Sequence, residues 1–222
     1  VSKWKEHNHP IDFFEAQVIH RKEILIRRTI MNTAVTTATQ SSKPTQWQID
    51  PAHSAAHFSV RHLMISNVRG EFTKISGSAL LNPADLTKST VEITIESASV
   101  NTREPQRDEH LRSADFFDVA NYPTLAFRSK RIEALGTDNF KLTGDLTIRG
   151  VTKEVTFDVE GPTPPVKDPW GNIRAGVTAS AKINRKDFGL VWNALTEAGG
   201  FVVGDDVKIT IEAELIQQAA AA

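Results

Sequence analysis

A chain of 222 residues and 24.5 kDa has room for one large domain or two small ones, and its 40% hydrophobic, 24% charged composition excludes global disorder. The formal charge of −1 argues against a dedicated nucleic-acid binder. The absence of cysteine removes disulfides, thiolate nucleophiles and Cys-ligated metal sites, and no apolar run approaches the roughly 20 residues of a membrane-spanning helix.

The chain opens on Val1, and Met31 offers an internal start. Residues 1–30 carry six Lys/Arg against four Asp/Glu, whereas the remainder is net acidic. They are read as an upstream extension from a misplaced start; the rival is an amphipathic helix with Ile11, Phe14, Val18 and Leu25 near one face. Asn32–Gln46, rich in Thr, Ser and Ala, is expected to be an unstructured lead-in. Neither start is followed by a charged stretch and a continuous apolar core, so a cytoplasmic location is expected. The expected organisation is an extension over 1–46, a folded domain over 47–216 and a short disordered tail over 217–222.

From Trp47 the pattern has period two, which predicts half-buried strands. Ala56, Phe58 and Val60 alternate with polar residues, followed by Val68, Gly70 and Phe72 and then by Val91, Ile93 and Ile95. Glu104–Asp118 is the one stretch predicted to be helical. Strand patterns resume at Leu125 and Phe127, and continue at Phe140, Leu142, Leu146 and Ile148 and at Val155, Phe157 and Val159. The last two runs are Ala175, Val177, Ala179, Ala181 and Ile183, then Val207, Ile209, Ile211, Ala213 and Leu215. Turn signals at Asn82-Pro83-Ala84-Asp85, Gly136–Asn139, Arg149-Gly150 and the Pro-rich Gly161–Gly171 imply antiparallel hairpins. One helix cannot cover the apolar face of some eight strands, so the sheet packs on a second sheet as a sandwich or closes on itself, and consecutive hairpins favour closure. The expected fold is all-β: an extended eight-stranded antiparallel up-and-down barrel with one short α-helix.

Such a barrel is plugged by its own side chains or holds a small ligand. Ala175, Ala179, Ala181, Gly70 and Ala56 are small for inward positions. They leave room for a long, thin, lipid-like guest, or they make space for Phe58, Phe72, Phe127 and Phe157; alternation alone does not choose. The inward set predicted to contact a guest is Phe58, Val60, Phe72, Ile93, Ile95, Leu125, Phe127, Leu146, Phe157, Val177, Ala179 and Ile209, with Trp192 at an entrance.

Three groups of residues carry a resemblance. One is Trp47–Ser54 with Phe58–His62 and Val68–Phe72. The second is Arg107–Asp118 with Tyr122-Pro123, and the third is Gly144–Thr152 with Arg185–Gly189. In order and spacing they resemble the bacterial YceI-like family from about Trp47 to Leu215. The resemblance implies a lipocalin-like barrel whose apolar tunnel holds a polyisoprenoid or related long-chain amphiphile, without catalysis and without a cofactor. It also implies a homodimer. Many relatives carry an export signal, which is not seen here.

Other candidate chemistry is weaker. His53, His57 and His62 suggest a metal, but strand residues four apart stand about 13 Å from one another, too far to share an ion. They are expected to anchor loops or mouth hydrogen bonds, and no metal site is expected. Arg103, Arg107 and His110 would share one helical face and are candidates for receiving a polar head group. Asp115 and Asp118 are expected to hold the turn after the helix, with Phe116 and Phe117 docking it rather than walling a ligand. No catalytic residue is assigned, since neither a G-x-S-x-G elbow nor a phosphate-cradling glycine loop is present. Two rivals are an acid–base enzyme of lipid metabolism using His57 or His110, and a self-filled interaction module.

Overall fold

The computed structural model describes residues 43–195 and 199–219. The expected upstream extension, start site and lead-in up to residue 42 lie outside the described residues, as do 220–222 of the tail. Among the described residues twelve strands and one α-helix follow in order: β1 (Thr45–Ile49), β2 (Ala55–His62), β3 (Ser66–Phe72), β4 (Ile75–Leu81), β5 (Thr90–Glu96), β6 (Val100–Asn101), α1 (Pro105–Arg112), β7 (Thr124–Ala134), β8 (Asn139–Ile148), β9 (Val151–Glu160), β10 (Val166–Lys167), β11 (Ile173–Asn184) and β12 (Val203–Gln217).

Strand order runs β11-β9-β8-β7-β5-β4-β1-β12, and the β11–β12 pairing closes it into an eight-stranded antiparallel barrel. Three wall positions each hold two collinear strands. Along one edge of β12, β1 pairs at Leu215–Gln217 and β2 at Val203–Glu212. Next to them, β4 pairs with β1 and β3 with β2; beyond these, β5 pairs with β4 and β6 with β3. This doubling extends the barrel beyond the length of β1 or β4 alone.

Local chemistry accounts for the hairpins. Arg149 and Gly150 both take positive φ (48° and 73°) between the paired Ile148 and Val151, as a two-residue hairpin turn requires. In β7 the register shifts between Ser129 and Arg131, so the buried positions change from Leu125 and Phe127 to Ile132. Gly77 of β4 lies where a Cβ would stand 2.3 Å from the Glu92 carbonyl oxygen. Small residues and the Leu80-Leu81 pair break the alternation in β4, so its sequence does not read as a strand.

The helix is shorter than the expected Glu104–Asp118. The Glu104 carboxylate accepts from Gln106 N–H at its start, Pro105 occupies the first turn, and Ser113 ends it in an extended conformation. The chain then folds back, with Phe117 and Val119 N–H donating to the Leu111 and Arg112 carbonyls. Arg112 donates to the carbonyls of Ala98 and Val100, and Asp108 accepts from the Thr102 N–H at 2.8 Å. Polar anchors therefore hold α1 against the end of the β5–β6 wall, bringing Leu111, Phe116 and Phe117 over the barrel.

The seam between β9 and β11 covers only residues 158–160 with 178–180. Beyond it the 3-10 turn Arg185–Phe188 packs on β9, β11 and β12, with Phe188 and Leu190 buried. Arg149 donates to the Gly189 carbonyl at 2.9 Å and to that of Ala114, tying the β8–β9 turn to both neighbouring segments.

Candidate functional site

The barrel interior is hollow. A cavity of about 480 Å³, walled almost wholly by apolar side chains, lies between α1, the β2–β3 hairpin and the segment from Leu190 to Val203. A second, about 100 Å³, lies deeper, among Ile49, Phe140, Val159 and Leu215. Ile93, Leu142, Ala179 and Ile211 line both, so these four residues stand between the two chambers.

Of the thirteen residues predicted to face a guest, twelve line the larger chamber: Phe58, Val60, Phe72, Ile93, Ile95, Leu125, Phe127, Leu146, Phe157, Ala179, Ile209 and Trp192. Val177 lines the deeper chamber instead. The two accounts of the small residues divide by position. At Gly70 the missing Cβ makes room for the Phe58 ring, and Ala175 is packed in the core, whereas Ala179 lines both chambers. Ring contacts between Phe58 and Phe72, Phe72 and Phe117, and Phe127 and Phe157, with centroids 5.2–5.7 Å apart, line the cavity without filling it.

The polar lining gathers at the helical end: His57, Arg61, His62, Gln106, Arg107, His110 and Arg185, with no carboxylate among the described lining residues. Arg107 and His110, two of the three residues considered for a head group, are among these lining residues. Arg103 is not: it precedes the helix at φ 65°, is exposed, and lies off the lining, because the chain must turn sharply out of β6 before α1 can start. Arg107 commits Nε to the Thr102 hydroxyl at 2.8 Å and Nη2 to the Thr102 carbonyl at 2.9 Å, so it anchors the helix while facing the cavity.

His110 stacks edge-on against Trp192 and Phe116, with centroids 4.7 and 5.1 Å away, and its Nε2 lies 3.0 Å from Asp115 Oδ2. His57 Nδ1 lies 3.7 Å from Glu71 Oε2. These are the two His–carboxylate pairs an acid–base reading would use. Phe116 and Phe117, expected only to dock the turn, are cavity walls as well. Trp170, in the Pro-rich Gly161–Gly171 loop, is exposed and lines neither chamber.

Arg185 builds the mouth from behind. Its side chain is 4% exposed and donates to the carbonyls of Leu190, Trp192, Val203 and Gly204, with Asp205 3.6 Å away. Burial pushes its pKa down, and the Asp205 carboxylate opposes that shift. This one guanidinium fixes both strands of the loop that presents Trp192 and Val203 to the cavity. The sequence showed Arg185 within a motif but carried no signal of these partners.

His53 anchors a loop, with Nδ1 2.8 Å from Asp50 Oδ2. Asp50, His53 and Glu214 come close enough to share an ion, but Arg174 already bonds to both carboxylates and to Asp168, so a guanidinium supplies the positive charge there.

The model of the YceI-like domain matches residues 47–215. The chain belongs to the YceI-like family. Among its relatives, UPF0312 protein SA2479 of Staphylococcus aureus (strain N315) is 36% identical over 170 residues, covering 77% of this chain and 96% of that protein. The crystal structure of the Campylobacter jejuni YCEI protein is 34% identical, with a TM-score of 0.61 over 71% of this YceI-like chain and 90% of its own. A polyisoprenoid binding domain from Saccharophagus degradans shares the fold at 18% identity, with a TM-score of 0.57 over 78% of this chain and 98% of its own. No helix among the described residues is long and apolar enough to cross a membrane.

Proposed function

We propose that this protein binds a polyisoprenoid or similar long-chain amphiphilic lipid and stores or carries it unchanged, with the apolar chain in the barrel and the polar end among the residues at the mouth. The observation that carries this reading is the shape of the interior: an apolar chamber with a second apolar one adjoining it across four shared residues, and charged and imidazole groups lining the larger one only. A cavity of this size lined by Leu, Ile, Val and Phe forfeits contacts when empty and gains little from water. A flexible chain restores those contacts, each methylene leaving water contributing about 0.8 kcal/mol against the cost of ordering the chain. The Saccharophagus domain, described as polyisoprenoid binding, supports the same class of ligand.

Organic extraction of the purified protein followed by mass spectrometry tests the reading. A long-chain lipid bound stoichiometrically, and recovered chemically unchanged after prolonged incubation, is the expected result. Protein that carries no lipid and takes up no added polyprenol overturns it, and a converted lipid favours the acid–base alternative through His110 and Asp115.

A further inference from the structure

Six of the eleven exposed large apolar side chains among the described residues gather on one surface. Leu63, Met64 and Ile65 form the β2–β3 turn, while Val191, Leu195 and Phe201 belong to the connection between β11 and β12. The two segments are joined. Leu63 N–H donates to the Val202 carbonyl at 2.9 Å, His62 pairs with Val203, and Leu195 pairs with Phe201. His62, Trp192, Val202 and Val203 line the larger chamber, so the outer apolar patch adjoins the inner apolar wall.

The turn itself departs from ordinary turn chemistry. Leu63 and Met64 both take positive φ (50° and 62°), a conformation that Gly and Asn adopt far more readily. Burial does not explain the choice, since Met64 and Ile65 are 65% and 77% exposed. Bulky apolar residues are therefore held at a tip where neither backbone preference nor water favours them, the kind of local conflict expected at a functional surface.

The charges around the patch point to its occupant. Arg61 is exposed beside the turn, His62 faces the mouth, and the Lys186 ammonium stands 5.7 Å from the centre of the Phe201 ring. Among the described residues, Asp205 is paired with Lys186 and lies close to Arg185. Apolar tips flanked by cations match the interface of a bilayer containing anionic lipids, the tips entering the acyl boundary and the cations meeting phosphate. A bilayer is also the occupant whose own chains can continue into the adjoining cavity without exposing each methylene to water.

Resting on the lipid-binding reading above, we propose that the Leu63–Ile65 turn with Val191, Leu195 and Phe201 is a membrane-docking rim through which the barrel takes up and returns its lipid. Co-sedimentation with phosphatidylcholine–phosphatidylglycerol vesicles and with pure phosphatidylcholine vesicles tests it. The wild type is expected to sediment with the mixed vesicles and more weakly with the neutral ones. A variant combining Met64→Glu and Ile65→Glu should lose about tenfold or more in partition. Leu135→Glu, an exposed apolar position in the β7–β8 turn, should leave partition unchanged. Uptake of the apolar fluorescent probe N-phenyl-1-naphthylamine reports the cavity separately and should be equal in all three proteins. Wild-type protein that stays in the supernatant, or a double variant that sediments like the wild type, overturns the proposal. So does a wild-type dimer that the double variant makes monomeric while neither binds vesicles, since the rim is then a surface for a second copy. Failure of the probe to enter the wild-type barrel refutes the lipid-binding reading instead, and the vesicle result still decides the docking.

Discussion

Phe58 lies with its ring against the bare Cα of Gly70, its partner in the β2–β3 register, so closely that a Cβ there would stand 2.4 Å from Phe58 Cζ and 2.7 Å from Thr102 Cγ2. Thr102 is the residue to which Arg107 and Asp108 of the helix are bonded. A methyl group at position 70 must therefore push either the ring into the cavity or the helix anchor outward. Gly70→Ala is expected to lower stability by about 1–3 kcal/mol and to reduce the amount of lipid retained. Combining it with Phe58→Leu should restore much of both. Denaturant midpoints and lipid recovered per protein measure the pair; a single variant matching the wild type in both would show that the ring is not confined.

Ala179 stands between the two chambers with Ile93, Leu142 and Ile211. An indole there should close the deeper chamber and leave the larger one open. Ala179→Trp is expected to fold, at a cost of about 1–3 kcal/mol for overpacking, and to retain shorter chains than the wild type. Chain-length distributions from mass spectrometry of extracted lipid check this. An unchanged distribution in a folded variant would mean that the ligand does not extend past Ala179 into the second chamber.

Arg185 satisfies four carbonyl groups from inside the protein. Arg185→Met keeps much of the side-chain volume but leaves those acceptors without their donor in a buried place. The expected loss is on the order of 3 kcal/mol, together with quenching and red shift of Trp192 fluorescence as the loop loosens. Arg185→Lys should recover little, because one ammonium cannot reproduce the fork. Thermal melts read the first effect and emission spectra the second.

Arg174 gathers Asp50, Asp168 and Glu214 from three parts of the chain. The His53 hydrogen bond, then that of Arg174, holds Asp50 down at about 2 from its ordinary 3.8. Asp168 is also held below the usual range: burial raises it, but Arg174 and Asn172 together prevail. Carboxyls depressed in the fold add stability that is fully present above their unfolded values and is lost as pH falls toward the folded ones. Wild-type melting temperature should therefore drop between about pH 4 and pH 2. Arg174→Gln should be less stable at neutral pH, and its deficit should narrow across that window. A deficit independent of pH would separate Arg174 from these carboxylates.

The sequence by itself determined the wall of the barrel. Side-chain alternation is a property of each strand alone, so Phe58, Leu146, Phe157 and Ile209 could be placed inward without knowing their neighbours, and Arg149-Gly150 marked a turn for the same local reason. Family motifs from Trp47 to Gly189 were legible as well. Whether the interior was full was decided only in three dimensions, because a void depends on how rings from different strands meet: Gly70 is small to seat Phe58, while Ala179 is small and lines two chambers. The collinear doubling of the wall, the short β4 and the early end of α1 likewise arise from pairing and anchoring between distant segments. Arg174 and Asp50 are 124 residues apart in the chain, and no local pattern marks a partner at that separation, since contact across a closed barrel is set by register around the whole sheet rather than by neighbours in sequence.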